Sequence, residues 1–301
     1  ETYELVERIT NYELQITNYK KHDSIILKRR TPREKYLQNV KAIKSQIEAG
    51  DFYELNYCNE FYTEQTAINP IEVFLKLNKA TKTPFSSFFK FQDKFLLSAS
   101  PERFLKREGS KLIAQPIKGT IKKGNTIQEN EVLKQQLQND PKERAENVMI
   151  VDLMRNDLAK SSVAGSVKVE ELYGIYEFET VNQMISTIVS ETKFDSVEII
   201  KNAFPMGSMA GAPKIMVLEN IEKYEDVKRG LFSGSVGYFT ADGNFDFNVV
   251  IRSILYNATD KYISIQVGGA ITYDSTAEKE YEEILLKAKK LVEVLNAEIA
   301  D

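Results

Sequence analysis

Short runs of alternating or wholly apolar residues, broken by turn signals, fill the stretch from Phe85 to Ala114. Phe85–Phe91, Phe95–Ala99, Phe104–Arg107 and Leu112–Ala114 read as strands, with Gln92-Asp93 and Glu108-Gly109-Ser110 as turns between them. The pattern predicts an antiparallel meander. It runs into Gln115-Pro116-Ile117-Lys118-Gly119-Thr120. There the proline stops the ladder and the glycine relieves the backbone, so Lys118 is expected at a strand end, aimed into a cleft. The turn at Ser100-Pro101-Glu102-Arg103-Phe104 would bring Glu102 back near Lys118, and one site would then hold a lysine and a carboxylate. By spacing alone, an arbitrary Lys-Gly-Thr is most often a surface lysine after a strand.

The flanking segments are read the same way. Thr31-Pro32-Arg33-Glu34 has the form of a capping box with proline at the first helical position; Leu37, Val40, Ile43 and Ile47 give one apolar face, and Gly50 a stop. From Phe52 to Thr63, Tyr53, Leu55, Tyr57 and Phe61 alternate with Glu54, Asn56, Cys58 and Glu60, which predicts a half-buried strand. Asn69-Pro70 opens a short helix through Leu77, and a basic loop over 121–125 precedes a polar helix from Ile127 to Gln138. Pro141 starts a helix that carries Glu143 and Glu146 on one face, and Glu280 and Glu283 repeat that spacing near the C-terminus. The other face of this last helix carries Tyr281, Ile284, Leu285, Ala288, Leu291 and Leu295, while Lys287 shares the acidic face.

Acidic residues at this spacing are usually a solvated helix face. Where two such helices converge, however, their carboxylates suit Mg2+, which takes six oxygen ligands and keeps waters or substrate oxygens among them. Phe245 to Arg252 reads as a strand ending in an arginine suited to a two-pronged grip on a carboxylate. Gly268-Gly269 follows a strand from Tyr262, where backbone N–H groups can approach an anion, although a Gly-Gly is most often a bulge or turn.

Composition narrows the picture. With 301 residues and 42% hydrophobic content the chain can bury a large core, as one α/β unit or two joined halves. A net charge of -4 gives no case for nucleic acid or an anionic membrane. No apolar run reaches the roughly 18 residues of a membrane span. Cys58, the one cysteine, rules out an internal disulfide and fits a reducing cytoplasm. His22, the one histidine, lies in the polar Lys20-Lys21-His22-Asp23, so a His-based triad or zinc site is not expected and proton transfer falls to carboxylates, lysine or tyrosine. The chain begins at Glu1, and residues 1–30 read as the remnant of an N-terminal region before a catalytic domain over 31–301.

Taken in order, several motifs resemble the series found in the chorismate-utilising enzymes. They are Ser-Pro-Glu-Arg-Phe at 100–104, Pro-Ile-Lys-Gly-Thr at 116–120, Glu-Arg-Ala-Glu-Asn at 143–147, Val151-Asp152-Leu153, Arg155-Asn156-Asp157, Gly211-Ala212-Pro213-Lys214 and Glu280 through Lys287. Order and spacing agree along roughly residues 32–297. The resemblance implies an α/β (α+β) fold, a two-lobed sandwich of mainly antiparallel sheets with outer helices and the site between the lobes. A lysine in this hexapeptide is typical of aminodeoxychorismate synthase component I, whereas anthranilate synthases usually carry alanine. The implied reaction is Mg2+-dependent amination of chorismate at C4 with ammonia, in 4-aminobenzoate and folate biosynthesis, with a glutamine amidotransferase subunit as partner. The alternatives are an anthranilate synthase component I and a non-catalytic chorismate-binding paralogue.

Residue by residue, the resemblance makes Lys118 the nucleophile at C2 and Glu102 the acid for the C4 hydroxyl. It gives Mg2+ to Glu146 and Glu283, supported by Glu143 and Glu280. The ring carboxylate falls to Lys287 with Gly268 and Gly269, the enolpyruvyl carboxylate to Arg252 and Ser208, and Thr120 closes the hexapeptide as a further substrate contact. Relatives that add water carry a lysine base at the position of Glu54, which argues against an isochorismate or salicylate synthase. Three positions depart from the pattern: Gln183 for a histidine, Phe232 for a tyrosine and Ala270 for a third glycine. Each is expected to weaken binding by about 1 kcal/mol. Nucleophilic attack also requires that the Lys118 pKa be lowered.

Overall fold

The computed structural model describes residues 24–179 and 181–300, so His22 and positions 1–23 of the expected N-terminal remnant lie outside the described residues. The first half of the chain forms β1 (Ile25–Arg29), α1 (Arg33–Ala49), β2 (Glu54–Thr63), α2 (Pro70–Thr81), β3 (Phe85–Phe91), β4 (Lys94–Ser100), β5 (Arg103–Glu108), β6 (Lys111–Ala114), β7 (Ile117–Lys122), α3 (Ile127–Asn139) and α4 (Pro141–Ala159). The second half forms β8 (Lys168–Glu177), β9 (Val181–Glu191), α5 (Ser196–Ala203), α6 (Gly207–Ala210), β10 (Gly211–Ala212), α7 (Lys214–Tyr224), β11 (Ser235–Phe239), β12 (Phe245–Val249), β13 (Ser253–Asn257), β14 (Tyr262–Ile271), α8 (Ala277–Val294) and β15 (Ala297–Ile299).

The strands make two sheets. One runs β15-β1-β2-β14-β13-β4-β3, with β10 against β2; the other runs β11-β12-β5-β6-β9-β7, with β8 also on β9. Among the described residues every pairing is antiparallel except β1 with β15. Each sheet has its own core and its own helices. Tyr57, Phe61, Ile265 and Val267 of the first sheet pack with Tyr36, Val40 and Ile43 of α1 and Tyr281, Ile284 and Leu291 of α8. Phe104, Leu112 and Ile188 of the second pack with Val151, Met154 and Leu158 of α4. The expected two-lobed, mainly antiparallel α/β sandwich is therefore the architecture found.

Several local expectations change. The α1 capping box does not form, because Thr31 Oγ1 donates to Asp226 (2.8 Å) instead of closing on its own helix. Gly50 does end α1, at φ +88° with its N–H on the carbonyls of Gln46 and Ile47. Strand β2 is buried on both faces rather than half-buried: Leu55, Tyr57 and Phe61 enter the core with α1 and α8, and Glu54, Cys58 and Glu60 of the opposite face are buried as well. Its Glu60 survives burial by pairing with Arg30 (2.9 Å) and accepting from Tyr262 and Ser264.

Two of the places where the chain changes sheet lie side by side. Between β4 and β5 it crosses at Pro101-Glu102, and between β12 and β13 at Val250–Arg252. Val249 N–H donates to the Glu102 carbonyl and Ala99 N–H to the Arg252 carbonyl, each at 3.1 Å. The strand expected from Phe245 to Arg252 thus stops at Val249, and Arg252 sits in the crossover with φ +51°. A left-handed conformation is uncommon for arginine and belongs to sites where the surroundings enforce it.

Candidate active site

Lys118 lies inside β7 and not at a strand end. The ladder with β9 pairs Ile117 with Ile185 and then Thr120 with Gln183, so three steps on β7 match two on β9 and Lys118-Gly119 form a bulge. A bulge bends its strand and re-aims a side chain. Gly119 takes φ +103°, and a Cβ there would stand 3.1 Å from Glu143 Oε2 and 3.2 Å from Met184 Cβ. Only glycine fits. Pro116 interrupts the ladder as expected, its carbonyl taken by Ser186 N–H (3.3 Å), and the strand resumes at once. Asn147, fully buried on α4, donates to the Lys118 carbonyl (3.3 Å) and accepts from Ser186 Oγ (2.6 Å), which holds the bulge in place.

Around this lysine the carboxylates gather. Its Nζ is 3.4 Å from Glu146 Oε2, and Lys142 lies 3.7 Å from the other oxygen. Glu54, Glu146 and Glu283 act electrostatically on Lys118, and its charge is felt in turn by Glu102, Glu143 and Glu280. Burial works to lower the Lys118 pKa, but Glu54 and Glu146 outweigh it and the net direction is up. These surroundings therefore do not supply the lowered value that nucleophilic attack requires. At Glu102 burial is the stronger influence: it lifts the carboxyl to about 7, against the pull of Lys118. Its backbone is fixed by Ser100, whose Oγ accepts from Glu102 N–H (3.2 Å).

The two acidic helices do converge, α4 from the second sheet and α8 from the first. Glu280 accepts from Ser275 Oγ (2.7 Å), and burial raises its carboxyl. Glu283 pairs with Lys287 at 2.5 Å; burial works to raise its pKa, and that pairing carries the balance below the usual range. Lys287 Nζ also donates to the Gly268 carbonyl (2.8 Å). Among the described residues no three carboxylate, histidine or cysteine groups close into one metal-sized cluster. The donor set still has the all-oxygen chemistry of Mg2+, whose shell is commonly completed by water and substrate oxygens.

Gly268 and Gly269 do not follow a strand but lie within β14, opposite Cys58 and Tyr57. Their duties differ. A Cβ on Gly268 would collide with Cys58 Sγ (2.4 Å) and the Tyr57 carbonyl (2.8 Å), whereas one on Gly269 would face Glu280 Oε2 (3.1 Å) and Lys287 Nζ (3.7 Å). The Arg252 side chain has no hydrogen-bond or ion-pair partner among the described residues; burial works against its charge, and Glu283 is the carboxylate acting on it. Ser208 sits on α6, anchored by Gly207 N–H on Asp157 (2.7 Å) and brought against β2 by Asn56 Nδ2 on the Ser208 carbonyl (3.2 Å). Thr120 is exposed and pairs with Gln183, while Phe232 is buried. Asn147, Ser275 and Lys142 are supporting groups that the sequence reading did not single out: Asn147 acts on β7 and β9, far off in the chain, whereas Ser275 and Lys142 lie only five and four residues from the glutamates they touch, a spacing that could have flagged them.

Residues 4–293 match the family described as chorismate binding enzyme. The chain is 41% identical over 262 residues to the chloroplastic aminodeoxychorismate synthase of Arabidopsis thaliana, covering 85% of this chain and 28% of that protein. It is 37% identical over 265 residues to aminodeoxychorismate synthase component 1 of Escherichia coli, covering 87% and 58%. The crystal structure of anthranilate synthase component I from Streptococcus pneumoniae superposes with a TM-score of 0.81 at 27% identity, covering 96% of this chain and 65% of that one. The chain therefore spans between about a quarter and three-fifths of the curated relatives it matches. A profile match over nearly its whole length places this chain in the chorismate-binding enzyme family.

Proposed function

We propose that this chain is the chorismate-aminating component of an aminodeoxychorismate synthase, converting chorismate and ammonia to 4-amino-4-deoxychorismate for 4-aminobenzoate and folate synthesis. The observation that carries the reading is Lys118, turned by its bulge into the meeting point of the two acidic helices, with Glu102 beside it. Residues 31–301 form the catalytic domain. Lys287 and the unpaired Arg252, with Ser208 near by, receive the two substrate carboxylates, with Gly268, Gly269 and Thr120 completing the contacts.

Lys118, as the neutral amine, adds to C2 while the ring double bonds shift and the C4 hydroxyl departs as water with a proton from Glu102. A carboxyl raised to about 7 is suited to that donation. Ammonia then adds at C4 and releases the lysine. Glu146 and Glu283, supported by Glu143 and Glu280, would hold Mg2+. That ion supplies Lewis acidity toward the ring carboxylate and positive charge that offsets the glutamates now keeping Lys118 protonated.

Ammonia comes from a glutamine amidotransferase partner, and the working compartment is the cytoplasm. No helix among the described residues is long and apolar enough to cross a membrane. The net charge of -4 does not favour nucleic acid.

Mass spectrometry of the products formed from chorismate, Mg2+ and an ammonium salt tests the reading, with and without an added aminodeoxychorismate lyase. Aminodeoxychorismate, converted by the lyase to 4-aminobenzoate, is the expected result. The fold match to an anthranilate synthase component I supports a second reading, in which anthranilate and pyruvate appear instead. Lys118 weighs against it.

A further inference from the structure

We infer that Glu54 is the acceptor for the incoming ammonia, holding it by its N–H bonds and taking the proton it sheds as the C4–N bond forms. The inference rests on the chorismate-aminating function proposed above.

Glu54 opens β2 and is 1% exposed, and its Oε2 is sealed from solvent with no hydrogen-bond partner. The other carboxylates in contact with cations or hydroxyls here are satisfied: Glu146 by Lys118 and Lys142, Glu283 by Lys287, Glu280 by Ser275. A buried carboxylate oxygen left without a donor is costly, and natural proteins keep few of them. Nor can the backbone slide to relieve it. Ala212 faces Glu54 across the β2–β10 pair, and a Cβ on Gly211 would stand 2.0 Å from the Glu54 carbonyl oxygen. The charged groups acting on the Glu54 side chain are Lys118 and Glu146, so it belongs to this site and not to the core.

The species that the reaction brings in decide what Glu54 receives. Two substrate carboxylates would be repelled by it, and the departing hydroxyl is served by Glu102. Ammonia remains, with three N–H donors and a single lone pair that must stay free to attack. A lysine or hydroxyl would donate to that lone pair and block it; an acceptor leaves it open. As the lone pair forms the C4–N bond, the ring electrons shift back and the C2–N bond to Lys118 breaks. The new C4 nitrogen then carries one proton too many, and the departing lysine nitrogen, whose extra proton restored Glu102 after the first step, lacks one. Glu54 takes the first and returns it to the second, ending as it began.

Steady-state kinetics of Glu54→Gln with varied ammonium chloride and varied chorismate test this. The kcat/KM for ammonium is expected to fall about tenfold to a hundredfold, the size of a lost hydrogen bond to a charged group, while the chorismate KM stays within about twofold. Glu54→Asp, which keeps the charge on a shorter arm, is expected to recover part of the loss, and thermal melts check folding. Should Glu54→Gln not fold, a raised ammonium KM at unchanged chorismate KM in Glu54→Asp carries the test alone. An unchanged ammonium dependence, or an equal loss toward both substrates, overturns the assignment. Wild-type protein that makes no aminodeoxychorismate from ammonium overturns the proposed function and this inference with it.

Discussion

The two acidic helices reach the site from opposite sheets in different electrical states. On α8, Glu283 is paired with Lys287, whose Nζ is fixed on the Gly268 carbonyl, and Glu280 is held by Ser275. Its charges are settled within one helix, the loop before it and one strand. On α4, Glu146 is shared at longer range between Lys118 and the exposed Lys142, and burial and Glu146 together raise the Glu143 carboxyl. The α8 side resembles a finished receptor surface, whereas the α4 side holds Lys118, the proposed nucleophile, in a pairing that a better cation can replace. Reactivity would then belong to the half whose charge balance is still open.

Replacing the lysine probes this contrast with the largest expected effect. Lys118→Ala is expected to lower chorismate turnover by about a thousandfold or more, as loss of a covalent nucleophile does. Its melting temperature should stay close to that of the wild type, because the pair it breaks is loose and partly solvated. Turnover unchanged by Lys118→Ala, read by product mass spectrometry, would remove the lysine from the reaction.

Next comes the acid. Glu102→Gln is expected to cost about a hundredfold or more in kcat. An acid must be protonated to act, so wild-type kcat should fall as pH rises through about 7, and Glu102→Gln should lose that limb. Linkage gives the stability sign. A carboxyl whose folded pKa lies above its unfolded value of about 4.3 binds more protons when folded, so its contribution to stability is lost as pH rises from there to about 7. Above pH 7, Glu102→Gln should therefore melt higher than the wild type. A lower melting temperature there would show that Glu102 is paired in a way its surroundings do not suggest.

The third test separates two neighbouring glycines on the α8 side. Gly268→Ala must push a methyl into Cys58 Sγ and the Tyr57 carbonyl, and a loss of about 1–3 kcal/mol of stability is expected from overpacking. Gly269→Ala meets only the ends of flexible side chains, so the fold should hold while the chorismate KM rises about tenfold from the added methyl. Urea unfolding and steady-state kinetics on both variants would show it. Equal stability losses would mean that Gly269 is structural too.

Regular elements were legible in the sequence because burial imposes a period on them. The meander from Phe85 to Ala114, the stop at Gly50 and the acidic faces of α4 and α8 all follow from such patterns. Features that depend on what lies across a sheet were not. Alternation made β2 look half-buried, and only the fold shows that its polar face, with Glu54, Cys58 and Glu60, is covered as well. Pro116 and Gly119 signalled an interruption, yet the bulge that aims Lys118 is a matter of register with β9. Thr31 had the form of a cap and is instead claimed by Asp226, nearly two hundred positions on. The charge on Lys118 is the clearest case, because a requirement for a lowered pKa could be stated from chemistry while Glu54, Glu146 and Glu283, from three distant parts of the chain, set the opposite direction.

The smallest effect is also the sharpest check on the contrast between the two helices. Lys142 and Lys287 each stand four residues from a glutamate of the site, Lys142 before Glu146 and Lys287 after Glu283. Their surroundings differ: Lys142 is 65% exposed at 3.7 Å, while Lys287 is 25% exposed at 2.5 Å and tied to a backbone carbonyl. A solvated pair at that range is worth under about 0.5 kcal/mol, so Lys142→Ala should change melting and turnover by no more than about twofold in rate. Lys287→Met, which removes a partly buried cation from beside the position proposed for a substrate carboxylate, should raise the chorismate KM by about tenfold. Should Lys142→Ala raise it as much, the α4 side would also be a settled receptor surface. The open charge balance assigned to Lys118 would then have no support from the helix that holds it.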